Sequence, residues 1–238
     1  MEDRSFWFGH RNRFLIEVMR RYPPASPLYD VGGGNGVVAA ALRDAGIKAV
    51  VIEPGEAGAR HARERGLEAV AATLETSGLP TASAPAIGLF DVIEHIEDAV
   101  SFLRTARHYL RPGGRLYVAV PAYRALWSAE DDYAKHFRRY TSGSLRHELR
   151  VAGFKVELTT YMFAVLPIPI LLMRALPYRL GFSRPFTPDG ARSDHVLGGL
   201  SRAMMDGVHR LELSAFSTFG TLPFGASVVA VATNPGDR

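Results

Sequence analysis

The segment "LYDVGGGNGV" places one carboxylate directly ahead of a cluster of glycines, and it is the first candidate for chemistry. Asp30 ends a strand-like run, and the glycines that follow it are Gly32, Gly33, Gly34 and Gly36. A glycine-rich turn that opens a helix presents backbone N–H groups that can hold an anion. A carboxylate at the mouth of that turn repels a pyrophosphate but attracts a ligand that carries positive charge.

The glycines alone leave two classes of ligand open. "GNGVVA" fits the looser glycine pattern of dinucleotide-binding turns, and Glu53 downstream could accept hydrogen bonds from a ribose in either class. S-adenosylmethionine offers an ammonium and a sulfonium to Asp30, a carboxylate to the backbone amides, and a ribose to Glu53. Asp30 therefore favours S-adenosylmethionine as the cofactor over NAD(P).

Acid–base candidates follow the fourth and fifth predicted strands. His95 comes five residues after the fourth strand, and Asp131 with His136 follows the fifth, where they could act as a base and the group that orients it. The alternative is structural: His95 would cap the next helix, and the other two would be solvated loop residues.

Arg138, Arg139 and Tyr140 follow in the same loop and could bind an anionic acceptor, although the two arginines could equally form a solvated turn. No histidine pair has the i, i+4 spacing with a carboxylate that marks a helical metal site. The sequence therefore predicts no catalytic metal.

These residues need a scaffold, and the hydrophobic pattern predicts strands that alternate with helices. Residues 10–21 have apolar side chains at helical spacing, and "YPPASP" ends that helix. The predicted strands are 26–31, 47–53, 67–74, 85–90, 115–122, 154–163 and 226–234, and the further helices are 36–46, 55–66, 97–110 and 141–153. Such alternation predicts an α/β fold with an open, mostly parallel seven-stranded sheet and helices on both faces.

Length and composition limit the other possibilities. A chain of 238 residues suits one α/β domain, and the absence of cysteine excludes disulfides and thiolate catalysis. The net charge of +4 suits an anionic partner, but no basic and aromatic cluster indicates nucleic acid. The start of the chain lacks a signal-peptide pattern, so we expect a cytoplasmic protein.

The segment from 162 to 225 interrupts the strand–helix rhythm before the last strand. It is predicted to be a helical insertion, which either packs on the sheet edge or serves as a cap over the site. Its apolar run, residues 162–173, is shorter than the ~20 residues of a spanning helix and contains prolines. That run could touch the inner membrane face or a lipid tail, or it could form ordinary packing or a homodimer interface.

Four ordered motifs carry a resemblance to a known family. They are Asp30-x-Gly32-x-Gly34-x-Gly36, then Glu53 at the end of the next strand, then "FDVIEHIED" and "LRPGGRLYVAVP". This order resembles the class I S-adenosylmethionine-dependent methyltransferases, which implies a Rossmann-like fold. The resemblance covers residues 27 to about 160 and the last strand. "FWFGHRNR", "WSAEDDYAKHFRRYTSGSL" and "LPFGASVVAVAT" are similar to bacterial members found beside glycan and lipid-linked sugar biosynthesis.

The resemblance implies a contact for each part of the cofactor. Asp30 and the backbone of Gly32, Gly34 and Gly36 would face the methionyl part, and Arg11 would pair with its carboxylate. Glu53 would take the ribose hydroxyls and Pro54 would pack beside the adenine. Thr73 and Leu74 would lie near the adenine amine, where the family often has an acid. Phe90 would lie beneath the sulfonium, followed by Asp91.

The resulting interpretation is one methyltransferase domain, 1–238, with four parts. These are an N-terminal helical segment at 1–26, a cofactor-binding core at 27–161, the insertion at 162–225, and a last strand and tail at 226–238. The expected reaction is methyl transfer to an oxygen of a small-molecule or lipid- or sugar-linked acceptor. The alternatives are an NAD(P)-dependent reductase and a cofactor-binding regulatory protein without turnover.

Overall fold

A seven-stranded sheet forms the centre of the protein, in a computed structural model that describes residues 6–182 and 199–236. Its strands are β1 (Leu28–Val31), β2 (Ala49–Ile52), β3 (Glu68–Val70), β4 (Ala84–Phe90), β5 (Leu110–Pro121), β6 (Lys155–Met162) and β7 (Ser227–Thr233). The spatial order is β3-β2-β1-β4-β5-β7-β6. Strand β7 runs antiparallel to β5 and β6, and the other pairs are parallel. The predicted fold class is confirmed.

The strand order reverses at β1, which pairs with β2 on one side and with β4 on the other. In register, Asp30 lies between Val51 of β2 and Gly88 of β4. In open α/β sheets a crevice forms beyond the carboxyl ends of the strands at such a reversal, and ligands bind there. The topology therefore places Asp30 at the position where a ligand site is expected.

Helices cover both faces of the sheet. They are α1 (Phe6–Arg21), α2 (Val37–Asp44), α3 (Glu56–Glu64), α4 (Ala99–Tyr109), α5 (Ala129–Tyr133) and α6 (Ser142–Val151). Helices α4 and α6 have side-chain caps in their first turns: Asp98 accepts from Ser101 N at 2.9 Å, and Thr141 forms a reciprocal capping box with Ser144. These caps accept hydrogen bonds from N–H groups of the first turn, which have no carbonyl partner within the helix.

Two buried clusters form the core, one on each face of the sheet. Helix α1 contributes Phe14 to the first cluster, and α4 contributes Leu103 to the second. Alternate residues of β7 divide between them, with Val229 in the first and Val228 in the second. This alternation follows from the two-residue period of a strand, and it explains why β7 is apolar throughout.

The segment before β7 is helical, as predicted, and its described parts pack in two different places. Helix α7 (Pro167–Ile170) continues through a π-helical turn (Leu171–Ala175) into α8 (Leu176–Arg179), and α9 spans Gly199–Phe219. Helix α9 packs on α1, where the Phe14 and Phe216 ring centroids lie 4.8 Å apart. The part of the predicted insertion at 183–198 lies outside the described residues. No helix in the described ranges has the length and apolarity to cross a membrane.

The other part of the insertion packs against α5. Arg174 Nη1 donates to Glu130 Oε2 at 2.6 Å, and the Tyr178 hydroxyl donates to Asp132 at 2.5 Å. Arg179 Nη2 donates to the carbonyl oxygen of Ala125 at 2.8 Å. These contacts hold α8 beside the loop that follows β5, which is the loop that carries His136.

Candidate active site

The turn after β1 is built from glycines for two different physical reasons. Gly36 has a φ of +76°, and a Cβ there would lie 2.6 Å from Leu67 Cδ1 and 3.0 Å from Ala62 Cβ. Gly36 is therefore required for the close approach of α2 to α3. A Cβ on Gly33 would lie 2.7 Å from Asp30 Oδ2, so the space in front of that carboxylate depends on Gly33.

Asp30 is buried and incompletely satisfied. It is 1% exposed, and its Oδ2 atom has no hydrogen-bond partner in the part of the chain that the structure describes. Burial raises the pKa of this carboxyl to about 7, with a further increase from Glu53 that the Arg11 guanidinium opposes. A cationic ligand beside Oδ2 would supply the missing interaction, so the site fits the charge of S-adenosylmethionine.

A pocket of about 120 Å³ lies in front of Asp30. It is lined by Phe8, Arg11, Asp30, Gly32, Gly33, Gly34, Asn35, Val37, Val38 and Phe90. Arg11 forms an ion pair with Asp91 and stacks over the ring of Phe8 at 4.8 Å. Within residues 6–182 and 199–236, its buried Nε atom has no hydrogen-bond partner. The structure thus brings five predicted cofactor residues together: Arg11, Asp30, Gly32, Gly34 and Phe90.

Glu53 fixes the outer side of the turn. Its Oε2 atom accepts from Gly34 N at 2.9 Å and its Oε1 atom accepts from Gly55 N at 2.8 Å. Each carboxylate oxygen has a second lone pair, so two ribose hydroxyls could still donate to Glu53. Pro54 follows it and is exposed to solvent.

Thr73 and Leu74, the residues predicted to lie near the adenine, do not end the third strand, because β3 ends at Val70. Thr73 is exposed, and its backbone N–H donates to Thr76 Oγ1 at 3.1 Å. Leu74 is 2% exposed and packs in the second core cluster. Neither side chain lines the pocket beside Asp30.

The end of β4 leads through Asp91 into a short 3-10 turn, Ile93–His95, that carries the ionisable groups of Glu94 and His95. Asp91 has a φ of +57°, and its backbone N–H donates to Ala119 O at 2.8 Å. Glu94 is 1% exposed, and burial with the nearby Asp91 raises its pKa well above the usual range. His95 is exposed as a whole residue, but part of its ring is covered. This partial burial lowers its pKa, and the nearby His136 lowers it further, so the neutral ring with its lone pair is favoured.

The loop after β5 is organised around Asp131, which is fully buried. Arg139 donates to it through Nε at 2.7 Å and Nη2 at 3.0 Å, and His136 Nδ1 lies 2.8 Å from Oδ1. Burial alone would raise the pKa of Asp131, but these hydrogen bonds lower it to about 2. The predicted orienting pair is therefore present, and the His95 and His136 rings lie 4.7 Å apart.

The three predicted acceptor-binding residues make contacts within the protein. Arg139 is committed to Asp131, and Arg138 Nη2 donates to the carbonyl oxygens of Ile96 and Glu97. Tyr140 is 1% exposed, and its hydroxyl donates to Glu148 at 3.3 Å. These contacts hold the loop in place, and acceptor binding by these three side chains stays a prediction.

His136 is one of the residues that line a second pocket, of about 450 Å³. Its lining residues are Arg124, Trp127, His136, Phe137, Tyr178 and Arg179. Sequence reasoning missed all of these except His136. The aromatic and basic residues of "YRALW" were a signal for one wall, whereas Tyr178 and Arg179 come from α8 and are placed only by its packing on α5.

Comparison with known families agrees with this arrangement. The model of the methyltransferase domain family matches residues 7–159, which is more than half of the chain. The chain belongs to the class I S-adenosylmethionine-dependent methyltransferases. S-adenosylmethionine is therefore its cofactor.

Two curated relatives illustrate how far the similarity extends. A Mycolicibacterium smegmatis protein, named a probable S-adenosylmethionine-dependent methyltransferase, is 26% identical over 68% of this chain and 65% of its own. A ubiquinone biosynthesis O-methyltransferase of Methylocella silvestris is 31% identical over 39% of this chain and 38% of its own. The chain thus spans just under two thirds of the first relative and a smaller share of the second.

Solved structures share the fold of this methyltransferase. A Thermotoga maritima S-adenosylmethionine-dependent methyltransferase has a TM-score of 0.56 at 23% identity, covering 94% of this chain and 90% of its own. A Haloferax volcanii methyltransferase solved with its Trm112 activator has a TM-score of 0.61 at 18% identity, covering 99% and 92%. At these identities the likeness concerns the fold alone.

Proposed function

We propose that the protein transfers a methyl group from S-adenosylmethionine to a hydroxyl oxygen of a small-molecule or lipid- or sugar-linked acceptor. The observation that carries the proposal is the buried Asp30 carboxylate, which has an unpartnered oxygen inside a glycine turn at the strand-order reversal. A ligand that offers that oxygen neither a hydrogen-bond donor nor a positive charge would leave it without compensation. An amino-acid nucleoside with positive charge compensates it directly.

In this proposal, different residues around the first pocket bind different parts of the cofactor. Asp30 faces the cationic amino-acid part, the buried Nε of Arg11 donates to its carboxylate, and Glu53 accepts from the ribose hydroxyls. When bound, the cofactor supplies a methyl group on a positively charged sulfur. Phe90 shields that end of the pocket from water, which favours displacement by an aligned acceptor.

The second pocket is proposed to hold the acceptor, because it begins at His136 and His95 lies beside it. Trp127 and Tyr178 offer rings against which an apolar or sugar surface can pack. Arg124 and Arg179 at its rim suit an anionic group such as a phosphate or a carboxylate. Oxygen is the proposed methyl acceptor, in line with the Methylocella relative's name as an O-methyltransferase.

An exposed apolar stripe beside that pocket favours a lipid-linked acceptor at a membrane surface. Its residues are Val165, Ile168, Leu172, Met173, Leu176, Leu180 and Phe182. Met173 is 76% exposed and Phe182 is 79% exposed, on the same segment that brings Arg179 to the pocket. Apolar side chains with flanking arginines suit an anionic lipid interface.

Flotation with phosphatidylglycerol vesicles should carry the wild type upward and leave a Met173→Ser, Phe182→Ser variant behind. A protein that does not float, or that forms a dimer through this stripe, would contradict the lipid role.

Calorimetric titration tests the cofactor assignment. S-adenosylmethionine and S-adenosylhomocysteine should each bind with one site per chain, and NADPH should not bind. Glu53→Ala should weaken both ligands, because it removes the ribose acceptor, whereas the exposed Glu75→Ala should not. Saturable binding of NADPH alone would support a reductase, and cofactor binding without methyl transfer in a mass-spectrometric acceptor screen would support a regulatory protein.

A further inference from the structure

Three side chains with metal-ligating atoms converge at the carboxyl edge of the sheet. Glu94 and His95 follow Phe90, which lines the cofactor pocket, and His136 lines the acceptor pocket. One donor atom from each of the three lies within 4.8 Å of the other two. We propose that Glu94, His95 and His136 bind a divalent first-row transition-metal ion.

The Glu94 carboxyl group is the first independent support. It is 1% exposed, and neither of its oxygens has a hydrogen-bond partner among the described residues. The guanidinium groups that act on it electrostatically are those of Arg11 and Arg139, and these pair with Asp91 and Asp131. A buried carboxylate is costly without a compensating charge, and a directly bound cation supplies one.

The orientation of His136 is the second independent support. Asp131 accepts two N–H bonds from Arg139 and one from Ser128, so it is the acceptor in its 2.8 Å contact with His136 Nδ1. His136 therefore donates from Nδ1 and keeps its lone pair on Nε2. A carboxylate behind a histidine in this way is the usual support for a metal-ligating imidazole.

The donor set indicates the type of ion. Imidazole suits zinc, copper, iron and nickel, while a carboxylate suits harder ions such as manganese, and two imidazoles with one carboxylate suit first-row transition metals. Metal–ligand bonds of about 2.0–2.2 Å place neighbouring donor atoms about 3–3.5 Å apart, so the donor atoms must approach one another by up to roughly 1–2 Å. His95 lies exposed on a short turn, and a hydrogen bond to the Ala134 backbone and its contact with the His136 ring orient it.

Three protein ligands leave coordination positions open beside the acceptor pocket. If the proposed function holds, an acceptor hydroxyl occupies one of them and releases its proton to solvent. The oxygen then forms a bond to the methyl carbon as the sulfur–methyl bond breaks, and S-adenosylhomocysteine leaves as a neutral thioether. This role rests on the proposed function, whereas the cation site itself does not.

The experiment measures metal binding by the full chain without any cofactor. Mn²⁺ titration followed by electron paramagnetic resonance should give one site per chain, and Co²⁺ should show an absorption spectrum characteristic of nitrogen and oxygen ligands. Glu94→Gln and His95→Ala should each weaken Mn²⁺ binding by at least roughly 100-fold. Asp131→Asn should weaken it by about 10–100-fold, because Asp131 orients His136 without being a proposed ligand. The exposed His61→Ala is the matched control and should leave the site unchanged.

His95→Ala keeps the test decisive if a substitution at the buried Glu94 impairs folding, because His95 is exposed. Absence of stoichiometric Mn²⁺ and Co²⁺ binding by the wild type would overturn the proposal. Binding that is unaffected by both Glu94→Gln and His95→Ala would also overturn it. Metal binding at this cluster in a protein that fails to bind S-adenosylmethionine would support the cation site and refute the proposed function.

Discussion

Asp30→Asn should stabilise the free protein and weaken its cofactor binding, with a dependence on pH that the structure specifies. Burial raises the pKa of Asp30 to about 7 from the usual value of 3.8. The folded state therefore binds a proton that the unfolded state releases between these values, and the stability of the wild type falls as pH rises from about 4 to 7. Keeping the carboxylate ionised at pH 8.5 costs about 4 kcal/mol.

Asparagine removes that cost but places an amide that is incompletely hydrogen-bonded, which loses about 1–3 kcal/mol at any pH. The expected net gain is about 1–3 kcal/mol at pH 8.5 and none at pH 5. Urea unfolding at the two pH values, without cofactor, measures the difference. The exposed Asp44→Asn is the control and should change little at either pH.

The same substitution should weaken S-adenosylmethionine by about 10–100-fold at pH 8.5, because a favourable charge interaction of about 1.4–2.8 kcal/mol is lost. Calorimetry measures this directly. An equal stability change at pH 5 and 8.5, or unchanged affinity for S-adenosylmethionine, would refute the reasoning about Asp30.

Three further predictions concern the fold and the acceptor pocket. Gly36→Ala should lower the free energy of unfolding in urea by about 2–4 kcal/mol, because it adds a steric clash to a left-handed backbone conformation. The control Gly46→Ala should lower it by only about 1–2 kcal/mol, because Gly46 has a φ of +83° but open space around its Cβ position. Equal losses would contradict the close packing at Gly36. Burial lowers the pKa of His209 to about 4. As pH falls from 6.5 to 4, the free energy of unfolding of the wild type should therefore decrease by up to roughly 3 kcal/mol relative to that of His209→Gln. Parallel pH profiles of the two unfolding free energies would contradict this. Arg179→Ala should raise KM for an anionic acceptor with little change in cofactor affinity, and an unchanged KM would remove Arg179 from acceptor binding.

Much of the fold followed from the sequence because its signals are local. Glycines after an apolar strand, caps such as Thr141, and strand–helix alternation each act within a few residues, and they predicted the sheet and its helices. The cofactor turn is equally local, since Asp30 and its glycines are adjacent in the chain. Segment ends were less predictable: β3 stops at Val70, four residues short of the predicted end.

The acceptor side could not be predicted in the same way, because its residues meet only through packing. Tyr140 looked available for binding, but the sequence does not reveal that its ring fills the core. The spacing of metal ligands along one helix does not reveal the proposed metal site, because Glu94 and His136 follow different strands. Arg179 reaches the second pocket only because α8 packs on α5.

A crystal structure of the complex with S-adenosylhomocysteine tests the central claim most directly. We expect the amino-acid part in the glycine turn with its ammonium against Asp30, the ribose hydroxyls on Glu53, and the sulfur directed toward Phe90 and the acceptor pocket. A ligand bound elsewhere, or an Asp30 carboxylate turned away from it, would contradict the account.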